Sequence, residues 1–156
     1  MSESPAVWQA PEPSGGPAPG IEFASPGARL VAYIVDVLVI GAVCFTFSIV
    51  GFLIGFLLPV IWVLAFVGII AVSLGYFPWY WTHGGQTPGM KLMRIKVVRD
   101  ADGGSLSAGQ AILRLVGFWV SSLAFYIGFI WIFIDARRRG WPDLFGGTIV
   151  VSSEHF

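Results

Sequence analysis

Charge is what this chain has least of. Only 12% of its residues are Asp, Glu, Lys or Arg, about half the share of an ordinary globular domain. Nine basic residues balance nine acidic ones, so no long-range pull on nucleic acid is expected. A single cysteine, Cys44, excludes an internal disulfide framework and CxxC metal chemistry. Free Cys packs as a small hydrophobe, and Cys44 is read that way. His83 and His155 stand apart and compose no metal set. Catalytic signatures are missing as well. Gly84-Gly85-Gln86-Thr87-Pro88-Gly89 lacks the G-K-[ST] ending of a phosphate-binding loop. No Ser/His/Asp set, dinucleotide loop or zinc pattern is present. No enzyme, catalytic residue, cofactor or metal is therefore expected.

What the chain does have is apolar length. Hydrophobic residues make up 56% of it, and the mean hydropathy is +0.79. That composition places it among integral membrane proteins. The lipid bilayer is its first expected partner. One copy is too short for a multidomain transporter, so a transport path would call for a homo-oligomer.

Residues 1–24 are rich in Pro and Gly, carry Glu3, Glu12 and Glu22, and hold no Lys or Arg. Neither the basic nor the apolar region of a signal peptide is present. The segment reads as a disordered tail, with Ile21 and Phe23 in reach of lipid headgroups. Residues 25–152 read as the transmembrane domain and 153–156 as a short C-terminal tail.

Ser25-Pro26 suits an N-cap followed by N1, and a helix is expected from about Pro26 to Ile49. Asp36 is the one charged residue between Leu30 and Trp81. A carboxylate near a helix centre costs about 2.5–3.5 kcal/mol on insertion scales, and such residues usually mark a path, a relay or an ion pair. The Leu, Ile, Val and Phe residues around it offset that cost. Gly51, Gly55 and Pro59 are read as the reversal. Gly51-x-x-x-Gly55 also fits a small-residue packing motif, though a flexible turn is the plainer reading. A second helix is expected from about Pro59 to Trp81, ending in an aromatic belt at Trp79-Tyr80-Trp81.

His83 to Gln110 is polar. Met93–Val98 alternates as a strand does, with Lys91, Arg94 and Lys96 on its wet face. Asp100 to Gly104 is a turn, and Ser107 with Gln110 fits a capping box. The last apolar stretch, Ile112 to Ile134, is either a third span or a hairpin. A third span would leave Arg137, Arg138 and Arg139 outside, whereas cytoplasmic flanks collect basic residues. Thr148–Val151 is also strand-like, and pairing with Met93–Val98 requires both on one side. A hairpin, breaking near Ser121-Ser122 or Gly128, is therefore favoured, with both termini cytoplasmic. Arg137–Arg139 would then face lipid phosphate. The fold class is an all-α integral membrane protein with two transmembrane helices, a C-terminal hydrophobic hairpin or third span, and a small cytoplasmic two-stranded element.

Arg29 and Asp36 lie about two turns, or 10 Å, apart on one helix face. Near the other end, Trp141-Pro142-Asp143 leads into Gly146-Gly147-Thr148. These stretches, with Gly84 to Val98 between them, resemble the RDD family of small membrane proteins. The resemblance spans roughly residues 24–152. It implies that Arg29, Asp36 and Asp143 are the Arg and two Asp of the family's name. Relatives commonly carry His before the second Asp; here Pro142 stands there, so no imidazole serves at that position.

The resemblance also implies transport of a ligand, with cation/proton exchange linked to some members. On that view Asp36 is a protonatable or cation-binding carboxylate. The rival view makes the Arg/Asp set architectural, in a non-transporting scaffold or accessory subunit. There, Asp36 is neutralised by Arg29, by Arg114 as a candidate network partner, or by a polar helix partner. An Arg29–Asp143 bridge would tie the C-terminal segment to the first helix.

Overall fold

The Ser25 hydroxyl accepts the Ala28 N–H at 3.2 Å, and the first helix starts where the Ser-Pro pair directs it. The computed structural model describes residues 16–17, 21–55 and 58–153. The rest of the expected tail (1–15, 18–20) and residues 154–156, with His155, lie outside the described residues. Among these residues, α1 runs Pro26–Gly55 and α2 Val60–Thr82. Both are long and apolar enough to cross a membrane. Their outward faces carry Leu, Val, Ile and Phe, as lipid contact requires.

α1 is longer than expected, and the two glycines are not in the reversal. Gly51 and Gly55 are buried in the last turns of α1. A Cβ at Gly51 would sit 2.9 Å from the Ala65 Cβ, and one at Gly55 2.5 Å from the Trp62 ring. The missing side chains let the two helices close on each other, so the packing motif supplants the flexible-turn reading.

The segment after α2 holds a short helix, α3 (Pro88–Leu92), then β1 (Ile95–Arg99). α3 was not expected, yet Thr87-Pro88 repeats the cap-then-Pro signal, and the Thr87 side chain accepts the Met90 N–H. β1 pairs antiparallel with β2 (Thr148–Ser152), Val97 opposite Val150. Phe23 bridges to Val151, and Ala24 donates to Val150 O at 3.0 Å. Ile21 and Phe23 pack on Val98, Ile149 and Val151. They thus pack on the sheet, and the packed unit begins before residue 25.

The capping box of Ser107 and Gln110 opens α4 (Ala108–Leu123). Its buried face, Ala111, Arg114, Gly117 and Ser121, recurs at helical spacing. α5 (Ile127–Ile130) and a 3₁₀ turn (Trp131–Phe133) follow after a bend of 112°. The break falls at Ala124–Tyr126, later than Ser121-Ser122 and before Gly128; Phe125 and Tyr126 take positive φ. Arg137 then reaches Asp100 through both terminal guanidinium nitrogens, Nη1 and Nη2, at 2.8 and 2.5 Å. The chain therefore returns to the end it left. Arg139 pairs with Asp135 at 3.1 Å, so two arginines expected to face phosphate have protein partners. α6 (Trp141–Gly146) packs on α4 and leads into β2.

Trp81 was expected in an interfacial belt, but it is fully buried, while Trp79 is exposed. Trp81 stacks on Phe77 and Phe118, with centroids 5.3 and 5.6 Å away. Tyr33 joins the same stack through Phe77 and Phe118. These rings join α1, α2 and α4 just inside the sheet.

Candidate functional site

Asp143 is the third residue of α6, 2% exposed, and it holds three elements together. Arg29, from the first turn of α1, donates from Nη1 to Oδ2 at 2.6 Å. Arg114 donates from Nη1 to Oδ1, and also to the Thr148 hydroxyl at 2.6 Å. The Gly140 N–H reaches Oδ2 at 3.1 Å, closing the start of α6. Arg29 Nη2 adds a bond to Val150 O at 3.3 Å. α1, α4 and α6 thus meet on one carboxylate, and the two arginines link it to β2. Neither arginine snorkels: their side chains are 10% and 4% exposed. The Arg114 guanidinium carbon lies 4.9 Å over the Trp81 ring, a cation–π contact.

Burial by itself would push the Asp143 carboxyl up. The Arg114 and Arg29 charges, with hydrogen bonds from Arg114 and Gly140, outweigh it and hold the group below the usual carboxylate value.

Close packing enforces this geometry. A Cβ at Gly117 would lie 2.7 Å from the Pro142 Cα, and one at Gly146 3.1 Å from the Arg114 Cβ. Glycine at both positions lets α6 lie against α4 and brings Asp143 to Arg114. Pro142 fills that contact with backbone.

Asp36 is 1% exposed but belongs to a different set. Its Oδ1 accepts from the Tyr76 hydroxyl at 2.9 Å and from the Gly89 N–H at 2.8 Å. Its Oδ2 accepts from the Thr87 hydroxyl at 2.5 Å. Among the described residues no Lys, Arg or His makes an ion pair with it. Neutralisation by Arg29 or Arg114 is therefore replaced by three neutral donors. Asp36 ties α1 to α2 and α3, whereas Asp143 ties α1 to α4, α6 and β2.

The two sets share one cleft. Arg29, Asp36, Arg114 and Asp143 all line a cavity of about 420 Å³ between α1 and the bent pair. The rest of its wall is largely aromatic and aliphatic. Among the described residues no group of His, Cys, Asp and Glu is arranged to hold a metal.

The family model that matches residues 23–147 is that of the RDD family. This chain belongs to the RDD family. No curated protein and no solved structure matches it significantly. The RDD match includes Arg29, Asp36 and Asp143 and stops before β2. In this RDD protein Arg29 and Asp143 touch, while Asp36 is bound elsewhere. Tyr76, Thr87, Gly89 and Thr148 complete the two sets and were not singled out from sequence as partners. Thr87 was traceable through its cap-then-Pro signal. Tyr76 was not, since nothing local says which turn of α2 faces Asp36.

Proposed function

We propose that this RDD protein is a non-transporting membrane scaffold or accessory subunit whose Arg/Asp set is architectural. One observation carries the reading: both buried acids are already committed. Asp143 is held by two arginines, and Asp36 by three neutral donors on two further elements. A carrier site must release and rebind its ion, whereas these bonds are the ties between elements. The reading assigns no catalysis and no cofactor. Its partners are lipid and protein, including further copies of the chain.

The wild type in reconstituted vesicles is expected to show no Na⁺, K⁺ or H⁺ flux. Asp36→Asn is expected to assemble poorly and melt earlier, because a buried donor left unpaired costs about 1–3 kcal/mol. Flux through wild type that Asp36→Asn abolishes, with assembly intact, would sink the architectural reading. That result would support small-cation or proton transport. One observation favours this second reading: Asp36 lines the cleft and has only neutral donors as partners.

Orientation follows from charge. Arg29, Lys91, Arg94, Lys96, Arg99 and Arg137–Arg139 all sit on or beside the sheet end of the helices. Basic residues collect on the cytoplasmic side. The sheet and both ends of the chain are therefore assigned to the cytoplasm of a multi-pass cell-membrane protein, with the bent pair re-entering from that face. A C-terminal tag should be protected from external label in intact cells and labelled after permeabilisation; external labelling would overturn the assignment.

A further inference from the structure

The ion cluster at the Arg29 end of the cleft has an unbalanced charge. Two guanidiniums, Arg29 and Arg114, converge on the single carboxylate of Asp143, so the cluster carries one excess positive charge. Their Nε–H groups are buried and have no acceptor among the described residues. An arginine has five N–H donors in a planar fork suited to carboxylates. Asp36 also lines the cleft, but it sits about two turns deeper along α1, roughly 10 Å from Arg29. It is already bonded to Tyr76, Thr87 and Gly89.

The rest of the cleft suits an alkyl chain. Leu30, Tyr126 and Phe133 belong to its wall and are 60%, 56% and 75% exposed. The cleft therefore opens sideways, where lipid lies against α1. Its volume, about 420 Å³, falls in the usual range for small-ligand sites. At roughly 30 Å³ per chain unit, close to a water's share of liquid volume, it holds a chain of about fourteen carbons. A two-chain phospholipid needs much more room. Arg29 stands in the first turn of α1, at headgroup depth, and the cleft follows α1 inward from there. A fatty acid in a bilayer lies the same way, carboxylate at the interface and chain inward.

We propose that this cleft binds a single-chain fatty acid, its carboxylate against Arg29 and Arg114 and its chain along α1 toward the bilayer. The ligand's carboxylate cancels the excess charge of the cluster; the buried Nε–H groups are not its contacts. This goes beyond the scaffold reading, and it does not depend on whether Asp36 carries ions.

The test is binding of radiolabelled myristate to the full chain purified in a non-ionic detergent. Unlabelled myristate should displace the label. Methyl myristate, which keeps the chain and loses the charge, should need at least tenfold more. Inorganic phosphate and phosphatidylglycerol should not compete. Gly27 lines the cleft, and a Cβ there meets nothing within 4 Å. Gly27→Leu should therefore fill the cleft and weaken binding at least tenfold, with elution and melting unchanged. Leu30→Trp, at the exposed rim, replaces it if Gly27→Leu aggregates. Equal competition by the methyl ester, competition by phosphate or phosphatidylglycerol, or full binding by a folded cleft variant would each overturn the proposal.

Discussion

Asp143→Asn is expected to be the most damaging single change in this protein. It removes the one counter-charge shared by two buried arginines, Arg29 and Arg114. Removing one member of a buried ion pair typically costs about 3–5 kcal/mol, because the remaining charge is stranded. Here two charges are stranded, and the cost falls where α1, α4, α6 and β2 meet. Size-exclusion elution and thermal melting in detergent should show a variant that is largely misassembled, or melts far below wild type. A variant melting within a degree or two of wild type would mean that the cluster does not hold the fold. Swapping Arg29 and Asp143 cannot test the bridge, since an Arg at 143 would face Arg114. A double-mutant cycle of Arg29→Gln with Asp143→Asn isolates the pair. A coupling near zero would count against it.

The same carboxylate sets an acid limit. Its folded pKa lies below the ordinary value, so its stabilising contribution is fully present above the unfolded pKa, about 3.9. That contribution is lost as pH falls through the folded pKa. Asp135, held down first by its hydrogen bond from Arg139, acts in the same direction. Wild-type melting should therefore fall more steeply below about pH 4 than that of Asp143→Asn, which has already lost the Asp143 contribution.

Gly89→Ala is expected to do nearly as much harm by space alone. The added Cβ would lie 2.1 Å from the Ala32 carbonyl oxygen and 3.0 Å from the Asp36 Cγ. Both neighbours belong to α1, and the carbonyl is backbone, so α3 must move away. Overpacking costs about 1–3 kcal/mol. The shift also withdraws the Gly89 N–H and the Thr87 hydroxyl from Asp36, leaving a buried carboxylate with fewer donors. Gly75→Ala is the control, because a Cβ there meets nothing within 4 Å. Alanine is also the better helix former. Melting should drop for Gly89→Ala and hold or rise for Gly75→Ala. Equal melting of the two would show that α3 is free to move off α1.

The contrast between these glycines shows where sequence reading stops. Gly75 and Gly89 look alike as letters, and only the partner helix makes one of them indispensable. The long apolar runs, the Ser25-Pro26 start, the Ser107–Gln110 capping box and the strand character of two short segments are properties of neighbouring residues. They were legible because capping, strand alternation and insertion energy act over a few residues or sum along a run. The extent of α1 was misjudged because Gly51 and Gly55 read as breakers until Ala65 and Trp62 are seen against them.

At the site, composition and spacing alone mark Asp36 as a costly charge in an apolar run, with Arg29, Arg114 and Asp143 as its few charged company. How they divide is set by the packing of elements distant in the chain. Arg29 and Asp36 share a helix face, yet Arg29 turns to Asp143 from the far end of the chain, while Asp36 turns to Tyr76, Thr87 and Gly89. A buried charge binds whichever donors or acceptors the packing of other elements brings within hydrogen-bonding reach. Helical periodicity sets the direction of a side chain but not what stands opposite it.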